Sequence, residues 1–369
     1  MLTPGSGKDE TVSQKQPRLV FVVTVRNNAR LLDRCLRSVA AQTYPKTRCV
    51  VVDDASEEDT GAVAASWSVE RPELFTVHTV SHRRGKMANF YDAVSDLDDH
   101  DVVVELDGDD RLLSTDAAGD LARLHMRLDL VWSQHRVARH RWRTWSHFRS
   151  TDLPAAYRSA SDLPRLRWTR NWHPSHLRSF KAWMFRQIDP DDLKVDGDWV
   201  QVCADVAYYT PLVELTPPAL RYFYDRELAV YNVTATNDKF QDDPDTLPAL
   251  RQSYVAEEIF RRQPYRTQPA PLWVGVLHPD NRQAIERISE EQLRMNPANR
   301  FVLAAEHPML ASWHPRVQLV AQYTLADFRA PRPDRVRDAM RWLERFAREQ
   351  AAGSQREVPF PDLPLVRLS

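Results

Sequence analysis

The sequence predicts an α/β fold in which helices flank a mostly parallel sheet. Short apolar runs of strand length recur along the chain, and stretches with apolar residues at helical spacing lie between them. Two of the apolar runs end directly in clusters of aspartate. Strands that alternate with helices are joined by right-handed crossovers, and such strands build a mostly parallel sheet.

The first strand–helix–strand unit begins after residue 18. Residues 19–25 (LVFVVTV) are almost wholly apolar, which is typical of a strand covered on both faces. Residues 26–42 carry leucine, cysteine and valine at helical spacing, and Pro45 prevents the helix from continuing. Residues 49–52 form a second buried strand that ends in Asp53 and Asp54.

The alternation continues to residue 110. We expect a short helix near 60–67, a strand over 75–80 and a helix over 86–97. The strand at 102–106 runs into Asp107, Gly108, Asp109 and Asp110.

The character of the chain changes between residues 134 and 186, where arginine and tryptophan are interleaved. These side chains could stack on nucleobases and neutralise phosphates, or stack on sugar rings and grip an anionic carrier. They could equally form a helical hairpin with buried tryptophans and solvated arginines. Net charge alone does not separate these interpretations. Residues 203–215 then read as an apolar helix.

The chain is long enough for two domains. We expect a flexible tail over residues 1–17, a main domain over 18–262 and a small C-terminal α/β appendage with its own tail over 263–369. The appendage contains a strand–helix–strand pattern at 272–277, 282–295 and 301–305, followed by an amphipathic helix over 333–350. The tail after residue 353 is expected to be irregular.

The composition is that of an ordinary soluble protein. Of 369 residues, 43% are hydrophobic and 27% are charged, which is enough for a sizeable core. This excludes a wholly disordered chain, a disulfide scaffold, a collagen and a coiled coil. The formal net charge of -1 gives no global attraction to nucleic acid or membrane.

Cysteine usage and hydropathy predict a cytoplasmic protein. Cys35, Cys49 and Cys203 lie far apart in sequence, which indicates neither a disulfide framework nor a zinc knuckle. The longest apolar run is too short to span a bilayer, and the first residues lack the apolar region of a signal peptide.

Two acidic clusters are expected at one edge of the sheet. Asp53–Asp54 and Asp107–Asp110 both follow strands that the alternation orients alike, and ligands bind beyond the carboxyl ends of such strands. Taken singly, the first cluster could be a capping turn and the second a hairpin turn. Their joint placement favours a site for a divalent cation, and all-oxygen ligands suit Mg²⁺ or Mn²⁺.

Five segments in order resemble a family 2 glycosyltransferase with the GT-A fold, a Rossmann-like, mostly parallel sheet with flanking helices. The resemblance covers roughly residues 18–238, and its segments are 23–28 (VTVRNN) with 36–45 (LRSVAAQTYP), 51–56 (VVDDAS), 84–93 (RGKMANFYDA) and 106–110 (LDGDD). The last segment is similar to the DxD motif of that family. The resemblance divides the domain into a nucleotide-binding part, 18–133, and an acceptor-binding part, 134–262.

The resemblance implies a role for each matching position. Thr24, Val25 and Arg26, with Asp53 and Asp54, would line the pocket for base and ribose. Arg84 and Lys86 would lie near the base or the diphosphate. Asp107 would face the ribose or donor sugar beside Gly108, and Asp109, together with Asp107, would bind the metal. Asp110 would assist either group or the acceptor.

An inverting transfer needs a base for the attacking hydroxyl. The resemblance places this base at the start of a helix, where residues 204–211 (ADVAYYTP) match and Asp205 is the candidate. Ala204 replaces the glutamate that usually precedes the base, and Asp205 could instead be a helix cap. Asp196, Asp198 and Glu214 are weaker candidates.

Residues 173–183 (HPSHLRSFKAW) resemble a segment that lies near the acceptor in some family members. His173 and His176 could be metal ligands at helical spacing, but Pro174 between them favours structural or acceptor contacts. Tyr231, Asn232, Asn237 and Asp238 resemble a late loop that closes over the donor.

The predicted function is therefore metal-dependent, inverting glycosyl transfer from a nucleotide-diphosphate sugar, with UDP favoured, to an acceptor hydroxyl. The acceptor could be a glycan, a lipid carrier, a small molecule or a modified base in DNA. A nucleotide-sugar-binding protein without catalysis is the alternative of a different class. The sequence leaves the oligomeric state open.

Overall fold

The computed structural model describes residues 12–138, 150–155, 167, 173–232, 247–267, 271–323, 337, 340, 341, 343 and 365–368. The chain forms two compact units. One comprises Pro17–Thr267, and the other comprises Met1–Gln16 with Gln268–Ser369. Most of the arginine- and tryptophan-rich stretch, Asn237, Asp238 and most of the helix expected over 333–350 lie outside the described residues.

The described elements follow the predicted alternation up to residue 105. Along the chain the strands are β1 Val12–Gln14, β2 Leu19–Val25, β3 Thr47–Asp53, β4 Phe75–Thr79, β5 Val102–Glu105, β6 Arg111–Leu112, β7 Leu130–Val137, β8 Arg178–Lys181, β9 Lys194–Val195, β10 Asp198–Trp199, β11 Arg221–Tyr231, β12 Leu272–Val276, β13 Arg300–Glu306, β14 Val317–Tyr323 and β15 Leu365–Arg367. The helices are α1 Ala29–Ala40, α2 Thr60–Glu70, α3 Lys86–Ser95, α4 Ala117–His125, α5 Ala182–Phe185, α6 Ala204–Leu215, α7 Leu247–Arg261 and α8 Arg282–Met295.

The first unit is built on an eight-stranded sheet with the order β4-β3-β2-β5-β8-β7-β11-β6. Strands β2 to β5 pair in parallel, and β7 pairs in parallel with β11. Val25 is opposite Asp53, and Val22 is opposite Glu105. The carboxyl ends of β2, β3 and β5 therefore meet at one edge. The predicted α/β class with a mostly parallel sheet is confirmed.

Strand β8 is inserted antiparallel between β5 and β7, and the sequence did not predict it. All four of its residues are buried, including Arg178 and Lys181. Charged residues at both ends of a four-residue run do not resemble a central strand. Here, Arg178 lies directly opposite Glu105 in register, so its positive charge is balanced by the carboxylate on the neighbouring strand.

A cluster of aromatic rings fixes the two helices that begin at the edge of the sheet. Phe90 of α3 stacks on Tyr208 of α6 with ring centroids 4.9 Å apart, and Phe180 and Phe185 pack against the same rings. Each of these side chains is almost fully buried. This packing fixes Lys86 and Asp205, at the start of α3 and α6, relative to each other.

The second unit has a five-stranded sheet with the order β1-β14-β13-β12-β15. The predicted strand–helix–strand pattern is present as β12, α8 and β13, with β12 and β13 parallel. Leu303, Leu319, Phe301 and their neighbours form its core.

Two segments that we expected to be irregular contribute strands to this sheet. Val12–Gln14, in the predicted tail, pairs antiparallel with β14, and Leu365–Arg367 pairs in parallel with β12. The expectation is wrong at both places because three-residue edge strands carry too short a pattern to be read locally.

Cys35, Cys49 and Cys203 are buried and are not joined by disulfide bonds. Within the part of the chain that is described, no helix combines the length and apolarity needed to cross a membrane.

Candidate functional site

A cleft of about 500 Å³ lies at the carboxyl edge of β2, β3 and β5. It receives residues from the ends of these strands, from the starts of α3 and α6, and from α7. The lining residues are Thr24, Val25, Arg26, Asn27, Asn28, Asp54, Arg83, Gly85, Lys86, Asp107, Gly108, Asp109, Gln201, Val202, Cys203, Ala204, Asp205, Tyr231 and Gln252. The two predicted acidic clusters, represented by Asp54 and Asp109, therefore share one cleft.

Gly108 packs tightly against the end of β2. A Cβ atom at this position would lie 2.8 Å from Cβ of Val25 and 3.3 Å from the carbonyl oxygen of Thr24. These distances are shorter than ordinary van der Waals contact, so glycine is required here for the turn to approach the strand. The close approach holds the turn that carries Asp107 and Asp109 against the end of β2.

Asp54 organises the turn that leads into α3. Its carboxylate accepts hydrogen bonds from the backbone N–H of Arg84 at 2.7 Å, the backbone N–H of Gly85 at 3.0 Å and the side-chain amide of Asn89 at 2.8 Å. Asp54 therefore shapes the wall of the cleft, and much of its hydrogen-bonding capacity is used within the protein.

Asp53 is almost fully buried and is not among the lining residues. Its carboxylate accepts a hydrogen bond from the hydroxyl of Ser56. The resemblance places Asp53 at the base or ribose, whereas here its side chain is directed into the start of the β3–α2 connection. Alternating strand geometry explains this, because neighbouring residues at the end of a strand face opposite sides.

Of the two arginines that the sequence analysis placed at the nucleotide, Arg26 and Arg84, only Arg26 lines the cleft. Arg84 pairs with Asp92 at 2.5 Å and does not line the cleft, whereas its neighbour Arg83 does. Arg26 lines the cleft and pairs with Glu57 at 2.6 Å.

A network of buried charged side chains contacts Asp107 at the edge of the cleft. The carboxylate of Glu105 is 2.6 Å from Nζ of Lys86 and 2.6 Å from the guanidinium of Arg178, and it accepts a hydrogen bond from the hydroxyl of Tyr208. Lys86 also donates to Asp107. Burial disfavours the charged form of Lys86, but Asp107 and Glu105 outweigh this and raise its pKa above the ordinary value. Lys86 is therefore a cation at neutral pH.

Asp205 occupies the first turn of α6 and lines the cleft. Its carboxylate is 3.3 Å from Nη1 of Arg178. The guanidinium of Arg178 and the N-terminal end of the helix place positive charge beside this carboxylate. The helix that we predicted around Asp205 is present with its start within one residue of the expected position.

Asp110 and His176 lie close to Asp107 and are more deeply buried than it is. One ligand atom from each of these three side chains lies within 4.8 Å of the others, and Nδ1 of His176 is 3.8 Å from Asp110. The ring of His176 stacks on Tyr231 with centroids 4.7 Å apart, and the backbone N–H of Asn232 donates to Asp110 at 2.7 Å. The cluster shares Asp107 with the predicted metal pair Asp107 and Asp109.

The donor set of this cluster fits a divalent cation. Carboxylate oxygens suit Mg²⁺ and Mn²⁺, and an imidazole nitrogen among them favours Mn²⁺.

His173, the other predicted acceptor residue, lies apart from this cluster. Its Nδ1 is hydrogen-bonded to the hydroxyl of Thr151 at 2.8 Å, and it does not line the cleft. Burial lowers the pKa of His173, so the ring is neutral at pH 7.

Glu214 is held away from the cleft. It forms a buried pair with Arg167, whose Nε lies 2.5 Å from one carboxylate oxygen. This contact explains why Glu214 is a poor candidate for a base. Asp196 and Asp198 lie on the hairpin of β9 and β10 and do not line the cleft.

Sequence reasoning placed Tyr231 in a loop over the donor, but it did not identify Glu105, Arg178, Gln201 or Gln252 as parts of the site. Gln201 contacts the turn before α3: its amide donates to the carbonyl oxygen of Arg84 at 3.2 Å, and a Cβ at Gly85 would overlap its side chain. Gly85 also has a φ of 89°, in the region that favours glycine. Gly85 could be recognised from the sequence, but its contact with Gln201, more than a hundred residues away, could not.

Comparison with known proteins gives one family and several remote structural likenesses. Residues 20–190 match the family model described as glycosyl transferase family 2. No curated protein matches the chain.

Similar structures include S. aureus TarS, with a TM-score of 0.43, 18% identity and coverage of 58% of this chain and 37% of that chain. TarS 1–349 in complex with UDP-GlcNAc gives a TM-score of 0.43, 17% identity and 60% coverage of both chains. The mannosyltransferase PcManGT from Pyrobaculum calidifontis, in complex with GDP-Man and Mn²⁺, gives 0.39, 17% identity and coverage of 79% and 85%. The chain therefore spans less than two thirds of the length of the two TarS structures.

Proposed function

Because residues 20–190 of this chain match the family model of glycosyl transferase family 2, we propose that the protein transfers a sugar from a nucleotide-diphosphate sugar to an acceptor hydroxyl. The observation that carries the proposal is the cleft in which Asp54, Lys86, Asp107, Asp109 and Asp205 come together at the carboxyl edge of the parallel strands. This is where an open α/β sheet binds its ligand. A UDP-sugar is the donor that the sequence resemblance favours.

The charges of the cleft suit a diphosphate held together with a cation. Asp107, Asp110 and His176 would hold Mn²⁺ or Mg²⁺, and Asp109 on the same rim would complete the set. When bound, the cation would neutralise charge that develops on the leaving diphosphate. Lys86, kept protonated by Glu105 and Asp107, adds a fixed positive charge to the same wall.

Asp205 is the proposed base. As the acceptor oxygen forms its bond to the anomeric carbon, the bond from that carbon to the phosphate oxygen breaks, and the acceptor proton passes to Asp205. The nucleoside diphosphate leaves, and the configuration inverts in a single displacement. Arg178 positions Asp205 through its contact at 3.3 Å.

Thermal unfolding with a panel of UDP-sugars, with and without Mn²⁺, tests donor binding. A ligand at one hundred times its dissociation constant stabilises the folded form by about 2.7 kcal/mol. We expect a shift that requires Mn²⁺, and we expect Asp109→Asn and His176→Ala each to reduce its Mn²⁺-dependent part. Asp280→Asn, at a carboxylate in the second unit that is 90% exposed, is the matched control. A shift of equal size without metal would refute the proposed cation site.

Asp205→Asn tests the base. Release of UDP should fall roughly 10²- to 10⁴-fold, the usual contribution of general base catalysis. Binding of UDP, measured by calorimetry, should change by less than about threefold, because the cation site is intact. Full activity in this variant would assign the base to another residue.

A further inference from the structure

A second cavity of about 390 Å³ adjoins the cleft at the carboxyl edge of β2, β3 and β5, which is the proposed donor site and is called the donor cleft below. Its walls are the turn before α3, the hairpin of β9 and β10, and one face of α7. The lining residues are Arg83, Arg84, Val195, Asp196, Asp198, Trp199, Val200, Gln201, Arg251, Tyr254 and Val255.

The two cavities share part of their walls. Arg83 and Gln201 line both of them. Gln201 lies four residues before Asp205, the proposed base, in the segment that leads into α6. A molecule in the second cavity would therefore adjoin the cleft that contains Asp205.

Two aromatic side chains of the second cavity are held in place. The ring of Trp199 packs against Tyr91 with centroids 5.0 Å apart, and Nζ of Lys194 lies 5.3 Å from the centroid of the Trp199 ring. The hydroxyl of Tyr254 donates to the carboxylate of Asp196 at 3.2 Å. Fixed, partly exposed aromatic rings bind apolar faces of a ligand at small entropic cost.

Polar groups of both signs surround these rings. The side chains of Arg83, Arg251 and Asp198 have no ion-pair or hydrogen-bond partner among the described residues, so they are available to a ligand. Sugar hydroxyls both donate and accept hydrogen bonds, so one sugar can use guanidinium and carboxylate groups together.

We propose that this second cavity is the acceptor subsite and that it binds a neutral carbohydrate chain. The proposal rests on the proposed function, because an acceptor subsite presupposes transfer from the neighbouring cleft. Of the three arginines, Arg84 is already paired with Asp92, and the remaining two line the cavity together with Asp196 and Asp198. A polyanionic acceptor would bring its phosphates beside these two carboxylates, which argues against it. The subsite also differs from the acceptor position expected at His173.

The experiment measures release of UDP from the most rapidly hydrolysed UDP-sugar, alone and with neutral trisaccharides: cellotriose, maltotriose, chitotriose, xylotriose and mannotriose. Release without acceptor reports the donor cleft, so a failure there refutes the proposed function itself. We expect at least one trisaccharide to accelerate release, with little dependence on salt between 50 and 300 mM, about the range over which polyanion binding weakens steeply.

Tyr254→Ala and Arg251→Ala should each lower the ratio of transfer to hydrolysis at least tenfold, through a higher KM for the trisaccharide. Tyr222→Ala and Arg287→Ala, at exposed residues that line neither cavity, are the matched controls and should leave the ratio unchanged. Calorimetric titration of UDP separates loss of folding from loss of acceptor binding. The proposal is overturned if donor hydrolysis is intact and no trisaccharide accelerates it, or if both cavity variants behave like the controls.

Discussion

The positions of Asp107 and Asp109 depend on Gly108, the residue between them. Gly108 lies so close to Val25 and Thr24 that a methyl group has no space. Interiors at native density relax only partly around an added atom, so the turn itself would have to move. The position of Asp107 and Asp109 is therefore tied to the end of β2.

Gly108→Ala should lower the free energy of unfolding by about 1–3 kcal/mol and weaken Mn²⁺-dependent binding of UDP. Gly119→Ala is the matched control, because nothing lies within 4 Å of a Cβ at that position in α4. In that helix alanine should stabilise by about 0.5–1 kcal/mol relative to glycine. Urea denaturation and calorimetry check both effects, and equal stability of the two variants would contradict the packing argument.

Whether a site residue could be predicted depends on how far it lies in sequence from the residues it contacts. Asp54, Asp107 and Asp109 follow apolar runs directly, so their shared edge could be inferred from local pattern, and they line or shape one cleft. Glu105 lies inside such a run, and its partner Arg178 is 73 residues away on an unpredicted antiparallel strand. A pair of this kind has no local signal. The catalytic and binding roles of these residues remain predictions.

At the scale of elements, a buried ion pair joins helices α6 and α7 to a residue of the arginine-rich stretch. Arg167 contacts Glu214 of α6 through Nε and Nη2 at 2.5 and 2.7 Å, and its Nη1 donates to the carbonyl oxygen of Ile259 in α7 at 2.9 Å. Arg167 is 2% exposed. One of the many arginines in this stretch thus has a structural role that the sequence could not distinguish from surface charge.

Glu214→Gln should destabilise the protein by about 3–5 kcal/mol, because it leaves the buried guanidinium without a counter-charge. Glu258→Gln, which removes an exposed pair with Arg261, should cost less than about 1 kcal/mol. Guanidinium denaturation of the two variants measures the difference. Similar losses for both would mean that the buried pair makes no special contribution.

The connection between α1 and β3 predicts a response to alkaline pH. The hydroxyl of Tyr44 donates to the carbonyl oxygen of Pro17 at 2.6 Å, and burial raises its pKa from 10.0 to about 12. The unfolded chain therefore loses this proton first. The stabilisation is complete below pH 10 and is lost as the pH rises towards 12.

Tyr44→Phe should accordingly show a smaller loss of stability between pH 10 and 12 than the wild type, with a pH-independent difference below pH 9. Urea midpoints across this range provide the measurement. Parallel curves for the two proteins up to pH 12 would show that Tyr44 titrates normally.

At the scale of the whole molecule, the proposed donor cleft and the second sheet belong to different units. All residues of the cleft lie within Pro17–Thr267, whereas the core around Leu319 belongs to the other unit. The second unit was predictable as α/β from its strand–helix–strand pattern. Its recruitment of Val12–Gln14 was not, because that pairing joins residues about 300 positions apart.

Leu319→Ala should destabilise the second unit by about 2–5 kcal/mol, the usual cost of a cavity in a core, since Leu319 is fully buried in β14. The dissociation constant for UDP should stay within about twofold of the wild type. Met295→Ala, at a side chain that is 74% exposed, controls for the loss of an apolar group. Calorimetric unfolding and UDP titration of the same samples give both quantities, and loss of UDP binding in Leu319→Ala would show that the cleft depends on the second unit.

The contact between Gly85 and Gln201 has a consequence for the energetics of turnover. It joins the turn that Asp54 holds to the segment that carries Asp205, so the two ends of the cleft keep their spacing before any ligand arrives. Such preorganisation lowers the reorganisation energy of the reaction, because the dipoles and charges are already in position when the bond breaks. With a side chain at position 85, the cleft would have to reorganise into that geometry in each turnover.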